Sequence, residues 1–422
     1  MAAEGEAAHV NETSLDALAD AARAAGRIAL DTEFMGEGRY RTLLCLIQLA
    51  VPEIGNPAHP RNPAHPELPA HPERIELLDP LADDLDGAPL AAILADPAVQ
   101  VVVHAGRQDV ALVRRRFATE VRNVFDTQVA AGFAGLGAQC SYDTLLAEVL
   151  GVRLAKSASF TRWETRPLSP EQRQYAREDV VHLLDLAAEL ERRLSALGRL
   201  EWAREECRSL ERASDERDLD AIFARLPRIR GLSASSRTVA RELVEWRERT
   251  AAAADRPVQS TLGDAALIEL AKRKPASSSQ LEQIRGIGAA SLHRRARELL
   301  DAVRRGSQRP PESLLQETRP PAPDPDDGPL IALAEAFVRA RAREAGLAYE
   351  LLAARADLQA IVAARRVDGG TAAAGGGQAD VRTLRGWRRE LVGAELLELL
   401  DGRVSLSVRA GKLLADLRPV ER

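Results

Sequence analysis

Five side chains in the first half of the chain have types and spacings suited to metal-assisted hydrolysis: Asp31, Glu33, Asp109, Tyr175 and Asp179. Asp31 and Glu33 close an apolar run, residues 27–33 (RIALDTE). In a strand, residues i and i+2 share a face, so both carboxylates point the same way. Adjacent acids repel unless something positive sits between them, and carboxylate oxygens are the ligands Mg²⁺ and Mn²⁺ prefer. Asp109 follows a second apolar run, residues 99–104 (VQVVVH), and falls in the first turn of the next helix, where the helix dipole also favours an acid. Tyr175 and Asp179 lie in a helical run opened by Ser169-Pro170. Their i, i+4 spacing puts phenol and carboxylate on one helical face, where the phenol can position a water. Taken singly, each feature also has a plain structural reading: a solvated strand end, an acid at a helix start, a surface pair.

The elements that must hold these residues are legible by period. A helix is expected over 13–25. Strands are expected over 27–33, 43–51, 75–79, 99–104 and 122–126, and helices over 106–117, 127–135, 141–150 and 170–197. Strands clustered early and then interleaved with helices predict an α/β domain with a mixed sheet over residues 1–205. Between the second and third strands, residues 55–73 repeat Pro-Ala-His-Pro from Pro57, Pro63 and Pro69. Proline at that density excludes helix and central strand, so an extended surface insertion is expected. Its histidines His59, His65 and His71 have the chemistry to bind a transition metal, but a slipped low-complexity repeat in a solvated loop is the favoured account.

Strand signals then fade. A helical connector is expected over 206–233, a helical domain over 234–306, a Pro- and Asp-rich linker over 307–329, and a second helical domain over 330–422. The formal net charge of −5 conceals an asymmetry. Residues 1–205 carry 21 Lys and Arg against 31 Asp and Glu, whereas 226–306 carry 16 against 9. An acidic half followed by a basic module suggests metal-binding carboxylates followed by a reader of phosphate backbones. At 45% hydrophobic and 29% charged, the chain has the composition of a globular protein. No apolar run approaches the ~18 residues of a membrane span, and the N-terminus lacks the pattern of a secretory signal. The three cysteines, Cys45, Cys140 and Cys207, are unpaired in spacing, which argues against a disulfide scaffold or structural zinc. No GxxxxGK[ST] loop is present, so no nucleotide cofactor is expected.

Taken together, the motifs resemble the DEDD family of 3′→5′ exonucleases, in the subgroup with a tyrosine in its last motif. The resemblance rests on LDTEF (30–34), LIQL (46–49), HAGRQD (104–109), FDTQ (125–128), KSASFTRWETR (156–166) with Pro167-Leu168, and YARED (175–179), in that order. It implies a ribonuclease-H-like fold. Asp31, Glu33, Asp109 and Asp179 would hold two divalent ions, Mg²⁺ or Mn²⁺, and Tyr175 would orient the attacking water. It also implies release of nucleoside 5′-monophosphates from an RNA 3′ end, with transfer RNA precursors bearing single-stranded 3′ ends as the expected partner. The expected protein is a cytoplasmic monomer. Lys156 and Arg162 are candidates for phosphate contacts, and Ser157 and Ser159 for hydrogen bonds to them. Phe34 would wedge against the terminal bases. Trp163 would either stack a base or pack beneath its loop, and His104 is expected to be a buried, hydrogen-bonded histidine.

Residues 234–306 resemble an HRDC domain, and IRGIG (284–288) suggests a helix–hairpin–helix whose Gly turn offers backbone N–H groups to phosphate. Lys272, Arg273, Lys274, Arg285, Arg294, Arg295 and Arg297 are the candidate contacts. Within residues 330–422, GWRRELVG (386–393) and LLELLDG (396–402) resemble the last, HRDC-like segment of such nucleases. Two other readings remain open from the residues alone. The same carboxylates cut DNA, as in a repair exonuclease, and a non-catalytic nucleic-acid binder would keep the fold as a platform.

Overall fold

The computed structural model describes residues 15–52, 74–154, 162–287, 289–311, 324, 326–367 and 379–417. The Pro-Ala-His-Pro insertion, with its three histidines, and Lys156, Ser157 and Ser159 lie outside them.

The first part of the chain is a five-stranded sheet between helices. Its elements are α1 (Leu15–Ala25), β1 (Arg27–Met35), β2 (Leu43–Val51), β3 (Arg74–Leu78), α2 (Ala88–Leu94), β4 (Gln100–Val103), α3 (Arg107–Phe117) and β5 (Val124–Asp126). They continue with α4 (Thr127–Phe133), α5 (Tyr142–Leu145) running into a π-helical turn (Leu146–Leu150), α6 (Pro170–Glu178), α7 (Leu183–Ala196) and α8 (Leu200–Cys207). The strand order is β3-β2-β1-β4-β5. β1 pairs antiparallel with β2 and parallel with β4, so the sheet is mixed, as expected.

Alternation along β1 sorts its side chains between two cores. Ile28 and Leu30 join Ile47, Leu49, Leu78, Val101 and Val103 beneath α1, α2 and α3. Ala29 faces the other way with Ala50 and Val102, against Leu183, Leu186 and Leu190 of α7. Further along that second face, Leu46 and Leu77 pack with Trp163, Leu168 and Ala176 of α6. Residues 31 and 33 therefore fall on the face covered where α6 gives way to α7.

That junction departs from the single helix expected over 170–197. The helix stops at Glu178, and α7 begins only at Leu183. The β-branched pair Val180-Val181 disfavours continuous helix, and Val180 is fully buried in the core beside α7. α2 had no counterpart in the sequence reading.

The middle of the chain has its own core. α9 (Leu219–Ala224), α10 (Ala234–Ala253), α11 (Val258–Thr261), α12 (Asp264–Arg273), α13 (Ser278–Glu282) and α14 (Ala289–Gln308) surround Leu243, Val244, Leu267, Leu270, Leu281 and Val303. This unit is tied to the turn between β1 and β2. Arg39 donates to Asp255 at 2.6 Å, the Tyr40 hydroxyl donates to Glu248 at 3.1 Å, and Arg217 forks onto the same Glu248 at 2.6 and 3.2 Å.

The C-terminal part contains α15 (Asp327–Ala345), α16 (Tyr349–Leu352), α17 (Arg355–Val367), α18 (Gly386–Arg388) and α19 (Ala394–Leu400). It was expected to be helical throughout, yet it ends in a hairpin of β6 (Val404–Arg409) and β7 (Lys412–Leu417). Ala410 and Gly411 both have positive φ, 49° and 73°, the backbone of a two-residue turn that matches strand twist. This part does not close a core alone. Phe337, Val338, Leu358, Trp387 and Leu396 belong to the same buried cluster as Phe125, Phe133, Leu183 and Leu190. Trp387 stacks on Trp202 at 5.4 Å and meets Phe133 edge-on at 4.9 Å. Arg388 pairs with Glu206 at 2.7 Å.

Candidate active site

Strand geometry places Asp31 and Glu33 as expected. Asp31 lies opposite Gln48 and Glu33 opposite Leu46, and the register slips immediately after, between Glu33 and Phe34. That irregularity ends the regular pleat at the acids. Phe34, next in sequence, is an exposed large apolar side chain.

Asp109 is buried in the first turn of α3 and accepts a short hydrogen bond from the Thr32 hydroxyl, between the two acids of β1. The approach to α3 is built by Asp126 at the end of β5. Its carboxylate accepts from the backbone N–H groups of Ala105 (3.1 Å), Gly106 (2.9 Å) and Gln128 (2.8 Å). One buried acid thus caps α4 and fixes the turn that launches α3. Gly106 is required there, because a Cβ would stand 2.4 Å from the Val103 Cβ. His104, just before it, hydrogen-bonds Thr127 at 2.9 Å through Nδ1, and burial lowers its pKa.

Asp179 caps the C-terminus of α6, its N–H bonded to the Tyr175 carbonyl at 3.3 Å, so the i, i+4 relation survives although the helix ends there. Ser169 opens α6 with a capping box to Gln172.

The electrostatics show that the four acids share one neighbourhood. Burial, then the charges of Asp109, Asp179 and Glu33, pushes the Asp31 carboxyl well above the usual range. Burial, then Asp179 and Asp109, pushes Glu33 up to about 8. Burial, then Asp143 and Glu178, pushes Asp179 up to about 7. Burial pushes Asp109 up to about 6 against the opposing hydrogen bond from Thr32. Tyr175 is held neutral by burial and by the charges of Asp179, Glu33 and Asp31. Among the described residues, no three His, Cys, Asp or Glu side chains already close around one ion-sized position. Anions without a counter-ion hold one another apart, so convergence on a common neighbourhood without a finished grip is the arrangement expected of the bare acids.

This strain has a measurable sign. The carboxyls hold their protons to higher pH in the fold than in the unfolded chain, so the folded state binds more protons between pH ~4 and ~8. Stability of protein stripped with EDTA should therefore fall as pH rises from 5.5 to 8. A divalent cation favours the ionised carboxylates and should flatten or reverse that fall. Melting temperatures at four pH values, with and without Mn²⁺, check both signs.

Of the remaining candidates, Trp163 is 3% exposed and packs at 6.0 Å from the Tyr175 ring, so it props the site and does not stack bases. Arg162 is exposed. Lys272, Arg273, Arg285, Arg294 and Arg297 are exposed on the middle unit, and Arg295 is partly so. Arg273 pairs with Glu269 at 3.0 Å, and Lys274, in left-handed conformation after α12, donates to Ser235 at 2.8 Å.

Three contributors escaped the sequence reading. Arg166 forks onto Asp79, with Nη2 at 2.7 Å, and also donates to the carbonyls of Cys45 (2.6 Å) and Trp163 (2.7 Å). It clamps the segment before α6 to the sheet. Arg166→Lys keeps the charge but loses the fork, and should cost about 2 kcal/mol on the scale of charged hydrogen bonds. Urea unfolding measures it. The other two are Tyr142, whose buried phenol feels Asp179 and Asp31, and Asp143, exposed beside it, whose charge bears on Asp179 and Tyr175. A polar pair opening α5 after Ser141 was the available signal.

Acids on a strand end, at a helix start and at a helix junction over a mixed sheet, with a phenol one turn before the last, define a 3′→5′ exonuclease of the DEDD type. Comparison with known proteins agrees and narrows it. The 3′-5′ exonuclease family profile matches residues 9–195, and the HRDC domain profile matches 236–303. Ribonuclease D of Acidiphilium cryptum is 31% identical over 401 residues, covering 95% of this chain and 94% of its own. Ribonuclease D of Granulibacter bethesdensis is 33% identical over 398 residues, covering 93% and 92%. The crystal structure of Escherichia coli RNase D superposes with a TM-score of 0.71 at 27% identity, covering 92% of this chain and 96% of that one. The chain belongs to the ribonuclease D family. It is a hydrolase, a 3′→5′ exoribonuclease acting on RNA. No helix among the described residues is long and apolar enough to cross a membrane.

Proposed function

We propose that the enzyme trims structured RNA precursors, transfer RNA among them, from single-stranded 3′ ends. It would work as a cytoplasmic monomer with two Mg²⁺ or Mn²⁺ ions held by Asp31, Glu33, Asp109 and Asp179. The observation that carries this reading is that Thr32, between the two acids of β1, donates its hydroxyl to Asp109 and so ties the third acid to the same strand end. Their donor set suits hard cations that take oxygen ligands. When bound, such ions supply a nucleophile at neutral pH and stabilise the leaving oxygen.

The remaining work falls to the protein's own side chains. Tyr175, neutral and one turn before Asp179, holds the attacking water by its hydroxyl. Thr32 fixes one oxygen of Asp109. Phe34, exposed beside Glu33, wedges against the last bases, and Lys156, Ser159 and Arg162 meet the phosphates. In this division the exonuclease domain spans 1–205, the HRDC domain 234–306 and the last unit 330–422. Lys272, Arg273, Lys274, Arg285 and Arg294 then hold RNA away from the cut. The E. coli protein is described as an exoribonuclease involved in structured RNA processing, which favours the same substrate class here.

Digestion of matched single-stranded RNA and DNA oligonucleotides, and of transfer RNA with extended 3′ ends, tests the reading. Mononucleotides from the RNA and trimming of the precursor are expected. Preference for DNA would move the enzyme to repair, and RNA binding without product would leave only a binding platform.

A further inference from the structure

One buried polar side chain faces the acids without a hydrogen-bond partner among the described residues. Gln48 lies in β2, flanked by β1 and β3, and is 0% exposed. Neither its amide nitrogen nor its amide oxygen finds a partner among those residues. It pairs directly with Asp31 across β1 and with Leu77 across β3. Directly opposed residues in antiparallel strands project from the same face. The Gln48 amide therefore rises beside the Asp31 carboxylate, on the face where Leu46 and Leu77 are otherwise apolar.

Buried polar groups are nearly always paired, and an orphan calls for a specific cause. A leucine or methionine at position 48 would satisfy packing at lower cost. The orphan amide lies beside a carboxylate whose state changes when a cation arrives. Ionised carboxylates have more acceptor sites than a bound ion engages, and ligating carboxylates are themselves usually hydrogen-bonded from behind.

We infer that Gln48 is a positioning residue, its amide donating to the Asp31 carboxylate when the site is loaded. It does not touch RNA in this arrangement. It holds Asp31 in the orientation that grips a cation. The inference rests on reading the four acids as the metal site.

The test compares Gln48→Met with the wild type. The variant keeps bulk and removes the donor, so it should melt in EDTA no lower than the wild type. The Mn²⁺ concentration giving half of the metal-induced rise in melting temperature should increase about tenfold, the scale of lost outer-sphere partners. With a single-stranded RNA oligonucleotide, kcat should fall while KM stays within about twofold. An unchanged Mn²⁺ midpoint, or a lower melting temperature in EDTA, would overturn the assignment for that residue, since either result means that the polar group serves the fold. Asp31→Asn runs alongside. If it releases mononucleotides at a rate near that of the wild type, the metal-site reading itself falls, whatever Gln48→Met does.

Discussion

Asp31→Asn should lower mononucleotide release by at least about a thousandfold, or ~4 kcal/mol of barrier, while the protein melts at a higher temperature in EDTA at pH 8. The loss follows from position. Asp31 is the acid on which all three of the others press. Removing its charge removes the donor most central to the cluster. The gain follows from the same pressure. A carboxyl held well above its ordinary range destabilises the folded chain wherever solution pH would ionise it in the unfolded one. An amide of the same shape has no such conflict. Opposite signs in activity and stability are the mark of a site selected for function at the expense of the fold. Single-turnover assays and thermal melts at pH 8 measure the two halves. A drop in both would mean that Asp31 supports structure.

Trp387→Ala should be the most damaging change outside the site. The indole is 2% exposed, stacked on Trp202 and edge-on to Phe133. Large-to-small changes at such positions cost about 3–5 kcal/mol, which lowers the melting temperature of a chain this long, unfolding as one unit, by roughly 3–6 °C. Trp387 and Phe133 belong to units that the linear order of the chain sets far apart. A single cooperative transition, shifted as a whole, is therefore expected by calorimetry. Two separated transitions, with only the smaller one shifted, would show that the C-terminal part folds on its own. At low temperature kcat should match the wild type, because no atom of Trp387 reaches the acids.

Much of this protein was legible in its order of residues. The limits of β2 were read to the residue, and Asp109 fell in the first turn of its helix, because a strand of continuous Leu, Ile and Val and a Gly-led helix start are strong local signals. Type and spacing singled out the acids, each with a plain structural reading beside it, and only their resemblance as a set to a known family joined them into one proposed site. What escaped depends on long-range partners. Nothing near Arg166 announces Asp79, 87 residues away. Nothing near Gln48 announces that its amide would find no partner. The stop after Glu178 comes from burying Val180, a tertiary demand that overrides helix period. The closing hairpin was visible in the alternation of Val404, Leu406 and Val408 before Ala410-Gly411, but the helical run ahead of it masked the change of period. The separate C-terminal domain was inferred from a Pro-rich linker, and composition cannot say whose core a helix completes.

That shared core has a temporal consequence. Leu194 leaves the ribosome well before Leu399, yet both are buried in one cluster. At about 5–20 residues per second, the interval is on the order of 10–40 s. Throughout it, the side of α4 and α7 destined for Trp387 and Leu396 has nothing to cover it. The newborn half-protein thus exposes an apolar flank until its own tail arrives, and a premature stop between residues 312 and 386 should yield aggregate in place of a smaller enzyme.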